Sequence, residues 1–185
     1  MANGELRMAN HESRITNHES RLIILGIDPG IATTGYGVLH KEGQKLMAVD
    51  YGVITSRPGT PAHERLLSVY EELSRLFDLH NPDALATERL FFSKNETTAF
   101  GVGRTIGVAL LAAAQRGIEW AEYSPPQVKQ AVVGYGGADK QQVQYMIQRL
   151  LNLPEPPKPD DAADALAVAI CHAHSSTIAS LTAKV

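Results

Sequence analysis

The apolar residues of this chain fall either into short unbroken runs or into longer stretches with helical spacing. The alternation of the two predicts an α/β protein. Leu22-Ile23-Ile24-Leu25-Gly26-Ile27 is aliphatic without helical spacing and predicts a buried strand that ends in Asp28. Pro29-Gly30 follows at once. Pro gives no amide to a ladder and Gly accepts the positive φ of a tight turn, so Asp28 is expected at a rigid strand end. Residues 36–41 and 45–55 predict two further strands, turned at Gly43, in a meander with the first. Residues 61–80 predict a helix capped by Thr60, with Leu66, Leu67, Tyr70, Leu73, Leu76 and Phe77 on one face. Asn81-Pro82-Asp83 stops it. Residues 84–88 read as a short strand that again ends in a carboxylate, Glu88. A long helix over 96–116, apolar nearly all round, and a strand over 118–123 come next. Ser124-Pro125-Pro126 opens a short helix to 133, Gly134-Tyr135-Gly136-Gly137 is a loop, and residues 139–151 are helical. A proline-rich connector over 154–159 leads to a last helix from 160 to about 174, and the tail over 177–185 is expected to fray.

Composition narrows the class. A chain of 185 residues with 44% hydrophobic residues is sized for one domain with its own core. The single cysteine, Cys171, allows neither a disulfide framework nor a thiolate zinc site and fits a reducing compartment. No apolar run approaches the roughly 20 residues that span a bilayer, and no signal-peptide pattern opens the chain. The expectation is a soluble cytoplasmic protein. The net charge of −3 leaves any affinity for nucleic acid to local patches from Lys94, Arg104, Lys129, Lys140 and Lys158. Residues 1–20 are polar and repetitive: Asn10-His11-Glu12-Ser13 returns as Asn17-His18-Glu19-Ser20. They read as a disordered extension before a domain over 21–176.

The candidate chemistry lies in four acids. Asp161 and Asp164 are three apart on the last helix and project from one face. Aspartates favour a first helical turn because they cap it and complement its dipole, which accounts for Asp160 and can account for Asp161. Asp164 sits a turn further on, before Leu166, Val168 and Ile170, where Asp has poor helix propensity. A last helix packed across the strand ends would gather Asp28, Glu88, Asp161 and Asp164. Four carboxylates so close repel unless cations neutralise them. Oxygen donors without Cys or paired His favour Mg²⁺ or Mn²⁺ over zinc. Two such ions about 4 Å apart can activate a water and stabilise the leaving oxygen of a phosphodiester. His172 and His174, two apart on a helix, share no face and read as surface or helix-end residues.

Leu25-Gly26-Ile27-Asp28-Pro29-Gly30 with Thr34-Gly35-Tyr36-Gly37, Glu88-Arg89-Leu90-Phe91, Gln127-Val128-Lys129-Gln130 and Asp161-Ala162-Ala163-Asp164-Ala165-Leu166 together resemble the motifs of the RuvC family. The resemblance runs in order from Leu22 to about His174. It implies a ribonuclease H-like fold with a five-stranded mixed sheet flanked by helices, and a Holliday-junction resolvase. It implies a homodimer that binds four-way junction DNA and nicks two opposed strands, with a branch-migration helicase complex as a further partner. It implies that Asp28, Glu88, Asp161 and Asp164 are the metal-binding catalytic acids, that Lys129 and Lys140 stand near the scissile phosphate, and that Phe91 meets unpaired bases at the crossover. On residue type alone Phe91-Phe92 reads as core and the two lysines as solvated. The extension over 1–20 departs from the family pattern, and Asp160 adds a fifth acid whose direction, about 100° from Asp161, points away.

Three rival readings stay in view. Residues 27–35 also resemble the phosphate loop of actin-like sugar kinases, but that class needs two such domains and a later adenosine motif. A non-catalytic junction-binding module has no need of four acids. Another ribonuclease H-like nuclease acting on RNA keeps the same acids. For the dimer, the helix over 96–116 carries an apolar set too wide for one face against one sheet, and Gly101, Gly103 and Gly107 weaken it by about 1 kcal/mol each relative to Ala. Either a two-fold contact or a helix sandwiched inside the monomer would account for it.

Overall fold

The fold is described from a computed structural model over residues 21–30, 32–57, 59–89 and 96–182. Five strands form one sheet: β1 (Arg21–Asp28), β2 (Thr33–Glu42), β3 (Lys45–Thr55), β4 (Ala84–Glu88) and β5 (Glu119–Tyr123), in the order β3-β2-β1-β4-β5. The first three form the expected antiparallel meander, and β4 and β5 add parallel to β1 and to each other. Among the described residues five helices flank the sheet: α1 (Ala62–His80), α2 (Glu96–Ala114), α3 (Pro125–Val133), α4 (Lys140–Leu150) and α5 (Asp160–Thr182). This is a ribonuclease H-like α/β architecture.

Both faces of the sheet are covered, which is why β1 reads as an unbroken apolar run. Leu25, Ile27, Val38 and Leu85 pack under Leu73, Leu76 and Phe77 of α1 and Ala109, Ala112 and Ala113 of α2. Ile24, Leu39 and Ala86 face the other way, toward α5, with α3 and α4 in the same core cluster. Each large side chain buried there contributes roughly 1.5–3 kcal/mol. The pairing of α5 with the sheet is closer than side chains would allow. Gly26 and Gly37 are partners across β1 and β2, and Gly35 is the partner of Asp28. A Cβ at Gly26 would collide with the Ala165 carbonyl, at Gly37 with Leu166, and at Gly35 with the Asp161 carbonyl. These three glycines seat α5 on the sheet, backbone against backbone.

Several boundaries differ from the sequence reading. α5 runs to Thr182, past the expected end near His174, because no Gly or Pro interrupts it. β2 starts at Thr33, three residues early. Thr60 does not cap α1: its Oγ1 donates to the Arg57 carbonyl at 2.8 Å, and Pro61 holds the N-cap position without a side-chain bond. Leu67 is 55% exposed, and Val69 takes its expected place on the buried face with Leu73, Leu76 and Phe77. The i, i+4, i+7, i+8 stripe from Val69 leaves Leu67 on the far side of the helix. Residues 1–20 and Phe91, Phe92 and Lys94 lie outside the described residues.

Candidate active site

Two acids are set by the sheet. Ile27 and Thr87 are register partners in the parallel pair β1–β4, so Asp28 and Glu88, one residue on, leave adjacent strands side by side. Two more are set by α5. With Gly35 opposite Asp28 and pressed under the Asp161 carbonyl, the first turns of α5 cross the end of β1 and bring Asp161 and Asp164 over it. Asp28 thereby comes within electrostatic reach of Asp161, Asp164 and Glu88.

Burial and mutual repulsion are visible in the acidities of Asp28, Glu88 and Asp164. Burial, then the charges of Asp164, Asp161 and Glu88, push Asp28 up to about 7, and Lys140 pulls weakly the other way. Burial and Asp164 raise Glu88, opposed by the Lys129 charge. Burial raises Asp164 against the charge and hydrogen bond of Lys140. Both candidate lysines therefore stand within electrostatic reach of the acids, from two different helices. Gln127 Oε1 holds the start of α3, which carries Lys129, by accepting from Ser124 N at 2.9 Å and Ser124 Oγ at 2.8 Å. A reciprocal capping box between Asp139 and Gln142 opens α4 just before Lys140.

Asp160 has a supporting place. Its Oδ2 lies 3.1 Å from Lys140 Nζ and its Oδ1 accepts from Gln144 Nε2 at 2.8 Å, while the same Nζ donates to Asp164 Oδ2 at 3.3 Å. Contrary to the expected direction, the fifth acid does not point away: it shares Lys140 with Asp164, its charge is among those that raise Asp164, and it anchors the lysine. The two histidines are not surface residues. Nδ1 of half-buried His172 shares a 2.9 Å hydrogen bond with the Tyr123 hydroxyl, and His174 Nδ1 lies 3.1 Å from the Ala131 carbonyl. Both tie α5 to its neighbours. One pair beside the site was missed from sequence: Arg89 Nε donates to Glu122 Oε2 at 3.0 Å, joining the residue after Glu88 to β5. Nothing local relates positions so far apart; only the parallel pairing of β4 and β5 does.

A divalent ion fits the chemistry of this donor set. The acids are all oxygen donors, and burial together with the neighbouring acids pushes Asp28 up to about 7, a shift that a bound cation would oppose. As they stand, no three His, Cys, Asp or Glu side chains among the described residues converge tightly enough to enclose an ion. A bound cation would have to draw the four carboxylates closer.

Known proteins place the chain. The family model described as "Crossover junction endodeoxyribonuclease RuvC" matches residues 24–172. The chain belongs to the RuvC family. The RuvC of Ruminiclostridium cellulolyticum is 55% identical over 160 residues, covering 86% of this chain and 96% of that protein. The RuvC of Alkaliphilus metalliredigens is 56% identical over 160 residues, covering 86% and 98%. A structure of Thermus thermophilus RuvC in complex with Holliday junction substrate superposes with a TM-score of 0.82 at 36% identity, covering 85% of this chain and 96% of that one. The RuvC match runs from Ile24 in β1 to His172 in α5 and takes in all four acids and both lysines.

Proposed function

We propose that this chain is a crossover junction endodeoxyribonuclease. In this reading it binds four-way DNA junctions as a homodimer and nicks two opposed strands symmetrically with Mg²⁺ or Mn²⁺, two ions per site. The observation that carries it is the gathering of Asp28, Glu88, Asp161 and Asp164 at one sheet end with Lys129 and Lys140 beside them. Bound divalent ions would neutralise the acids and lower the pKa of an attacking water. The four carboxylates would hold the ions. Lys140, steadied by Asp160, would meet the charge that develops on the phosphate, and Lys129 would hold the strand by a neighbouring phosphate. Phe91, which follows Glu88 by three residues, would stack on a base freed at the crossover. Residues 21–176 form the nuclease domain, and 1–20 are an extension not needed for cleavage. The protein acts in the cytoplasm, with a branch-migration helicase complex delivering the junction; no helix among the described residues is long and apolar enough to cross a membrane.

The dimer has support in α2. Thr105, Ile106, Ala109, Ala112 and Ala113 are buried, while Phe100 and Leu111 are 68% and 56% exposed, so the helix is not sandwiched inside the monomer. A Cβ at Gly107 would meet nothing. A two-fold contact along Phe100, Gly107 and Leu111 accounts for both facts and matches the symmetry of a junction.

The test compares a four-way DNA junction, linear duplex and RNA–DNA hybrid, each with Mg²⁺, Mn²⁺ or chelator. The expected result is paired, symmetric nicks in the junction alone and only with metal. Preferential cutting of the hybrid would move the protein to the RNA-directed reading, and metal-independent binding without cuts to the non-catalytic one.

A further inference from the structure

We infer that Tyr135, in the loop joining α3 to α4, packs its ring on a deoxyribose of the strand to be cut, beside the phosphates that Lys129 and Lys140 would meet. This rests on the junction reading above and adds an uncharged contact to it.

The loop Gly134-Tyr135-Gly136-Gly137 joins the helix that carries Lys129 to the helix that opens at Lys140. Packing brings it to the acid end of the sheet. Glu88 pairs with Tyr123, the last residue of β5, and α3 starts two residues later. The loop folds back over that first turn, since a Cβ at Gly136 would sit 3.3 Å from the Pro126 carbonyl oxygen. Pro126 is three residues before Lys129, whose charge opposes the rise of Glu88. On the other side of the loop, Lys140 Nζ donates to Asp164 Oδ2.

The loop is held at both ends. The Gly134 N–H donates to the Gln130 carbonyl at 2.9 Å, and the Gly134 carbonyl accepts from Gln130 Nε2 at 2.8 Å. Ala138 is buried in the core, and its N–H donates to the Tyr135 carbonyl at 3.2 Å. On this anchored loop Tyr135 is 66% exposed. The phenol end of its ring lies against Gly137, where a Cβ would come within 2.6 Å of the hydroxyl and 2.7 Å of Cζ. The ring is thus backed by glycine backbone on one side and bare on the other, the form in which Tyr serves as an interface residue. From Ser124 to Ala138 the chain has no Asp or Glu, and the carboxylate of Asp139 accepts from the Gln142 N–H, so no free acid of the loop repels a strand.

The chemistry of the ring selects the sugar. With its hydroxyl turned onto Gly137, Tyr135 offers C–H surface outward. Between its charged phosphates a DNA strand offers the apolar C–H face of deoxyribose. Two lysines on phosphates and one ring on a sugar would orient the strand without reading its sequence.

The experiment measures binding of a four-way junction to wild type, Tyr135→Ala and Tyr135→Phe in chelator across a KCl series. Circular dichroism and melting temperature establish that each is folded. The bound junction is also mapped with hydroxyl radicals, which attack deoxyribose C–H bonds. Tyr135→Ala is expected to bind about tenfold more weakly, through loss of a partly buried aromatic contact. Its slope of log K against log[salt] should match wild type, because no charge has gone. A sugar beside the scissile phosphate should be protected by wild type and Tyr135→Phe and open to attack with Tyr135→Ala. Wild-type affinity or unchanged sugar protection in Tyr135→Ala overturns the assignment and leaves the nuclease reading intact. Weaker binding with a changed slope also overturns it, since the loop then acts by placing Lys129 and Lys140. Equal losses in Tyr135→Phe and Tyr135→Ala would give the contact to the hydroxyl and overturn the sugar assignment. A wild type that neither binds nor cuts junctions overturns the nuclease reading, and this one with it.

Discussion

Asp28 is the residue on which burial and like charge act hardest, and its protonation should be readable in stability. Its carboxyl moves from 3.8 to about 7 on folding. An acid whose value rises on folding favours the native state when protonated. That contribution is complete below about pH 4, is lost as the pH climbs toward 7, and above 7 leaves the ionised group as a standing penalty. Asp28→Asn, which cannot ionise, is therefore expected to melt with wild type below pH 4 and higher than it above pH 7. The gain there is on the order of 5 °C in chelator. Mg²⁺ should then raise the melting temperature of wild type and not of the variant, since only the former has lost a proton to make room for the ion. Equal melting curves across the range would remove Asp28 from the cluster. Asp28→Asn should also abolish cleavage yet leave junction binding intact or tighter, because a negative charge has gone from the path of the phosphate. Lys140 acts on the same group from the opposite side. Lys140→Ala removes the cation that lowers Asp28, so the acid limb of the pH–rate profile should move to higher pH while the rate falls about a hundredfold. A lower rate with an unmoved limb would mean that Lys140 serves the DNA alone.

At the scale of elements, the site depends on how closely α5 can approach β1 and β2. Gly26→Ala puts a methyl group into the Ala165 carbonyl. The expected cost is about 1–3 kcal/mol in denaturant unfolding. Cleavage should fall further than that loss explains, because lifting α5 carries Asp161 and Asp164 away from Asp28. Loss of stability without loss of rate in the folded variant would separate the seat of the helix from the chemistry. This element also marks where sequence reasoning stops. The acids were legible, since a carboxylate that ends an aliphatic strand and an Asp in a second helical turn each break a local preference. The elements and the meander of the first three strands followed from periodicity, and the five-stranded mixed sheet flanked by helices from the family resemblance. The glycines that seat α5 were not legible as such. Gly26 reads as one more member of a strand run and Gly35 as the residue before a strand, and only the crossing of α5 over both gives them a purpose. The same holds for Asp160, whose role depends on Gln144 and Lys140 arriving from α4, and for His172 of α5, whose partner Tyr123 sits on β5. Side-chain pairs made across elements leave no periodic trace. Periodicity also misjudged Leu67, because the face that α1 buries is chosen by α2 and the sheet and not by α1 itself.

For the whole molecule, the unresolved balance is between a solvated α2 and a shared one. A helix that buries Ile106, Ala109, Ala112 and Ala113 on the sheet while presenting Phe100 and Leu111 to water leaves two large apolar side chains without cover. Burying each against a partner would contribute roughly 1.5–3 kcal/mol per side chain and per protomer. Gly107 lies between them with open space where its Cβ would be, so a second backbone can come close there. Symmetry makes the two-fold arrangement the economical one: the same patch serves both copies, and two equivalent acid clusters then face one junction. Leu111→Asp tests this with little risk to the fold, because position 111 is exposed and the helix face that meets the sheet is untouched. The variant should keep the circular dichroism of wild type and sediment as a monomer where wild type sediments as a dimer. It should bind junctions more weakly and, on a supercoiled cruciform, release singly nicked circles in place of the linear product of paired cuts. A wild type that sediments as a monomer at micromolar concentration and still makes paired cuts would sink the two-fold model. So would a Leu111→Asp protein that stays dimeric, and the exposed face of α2 would then be left to another partner.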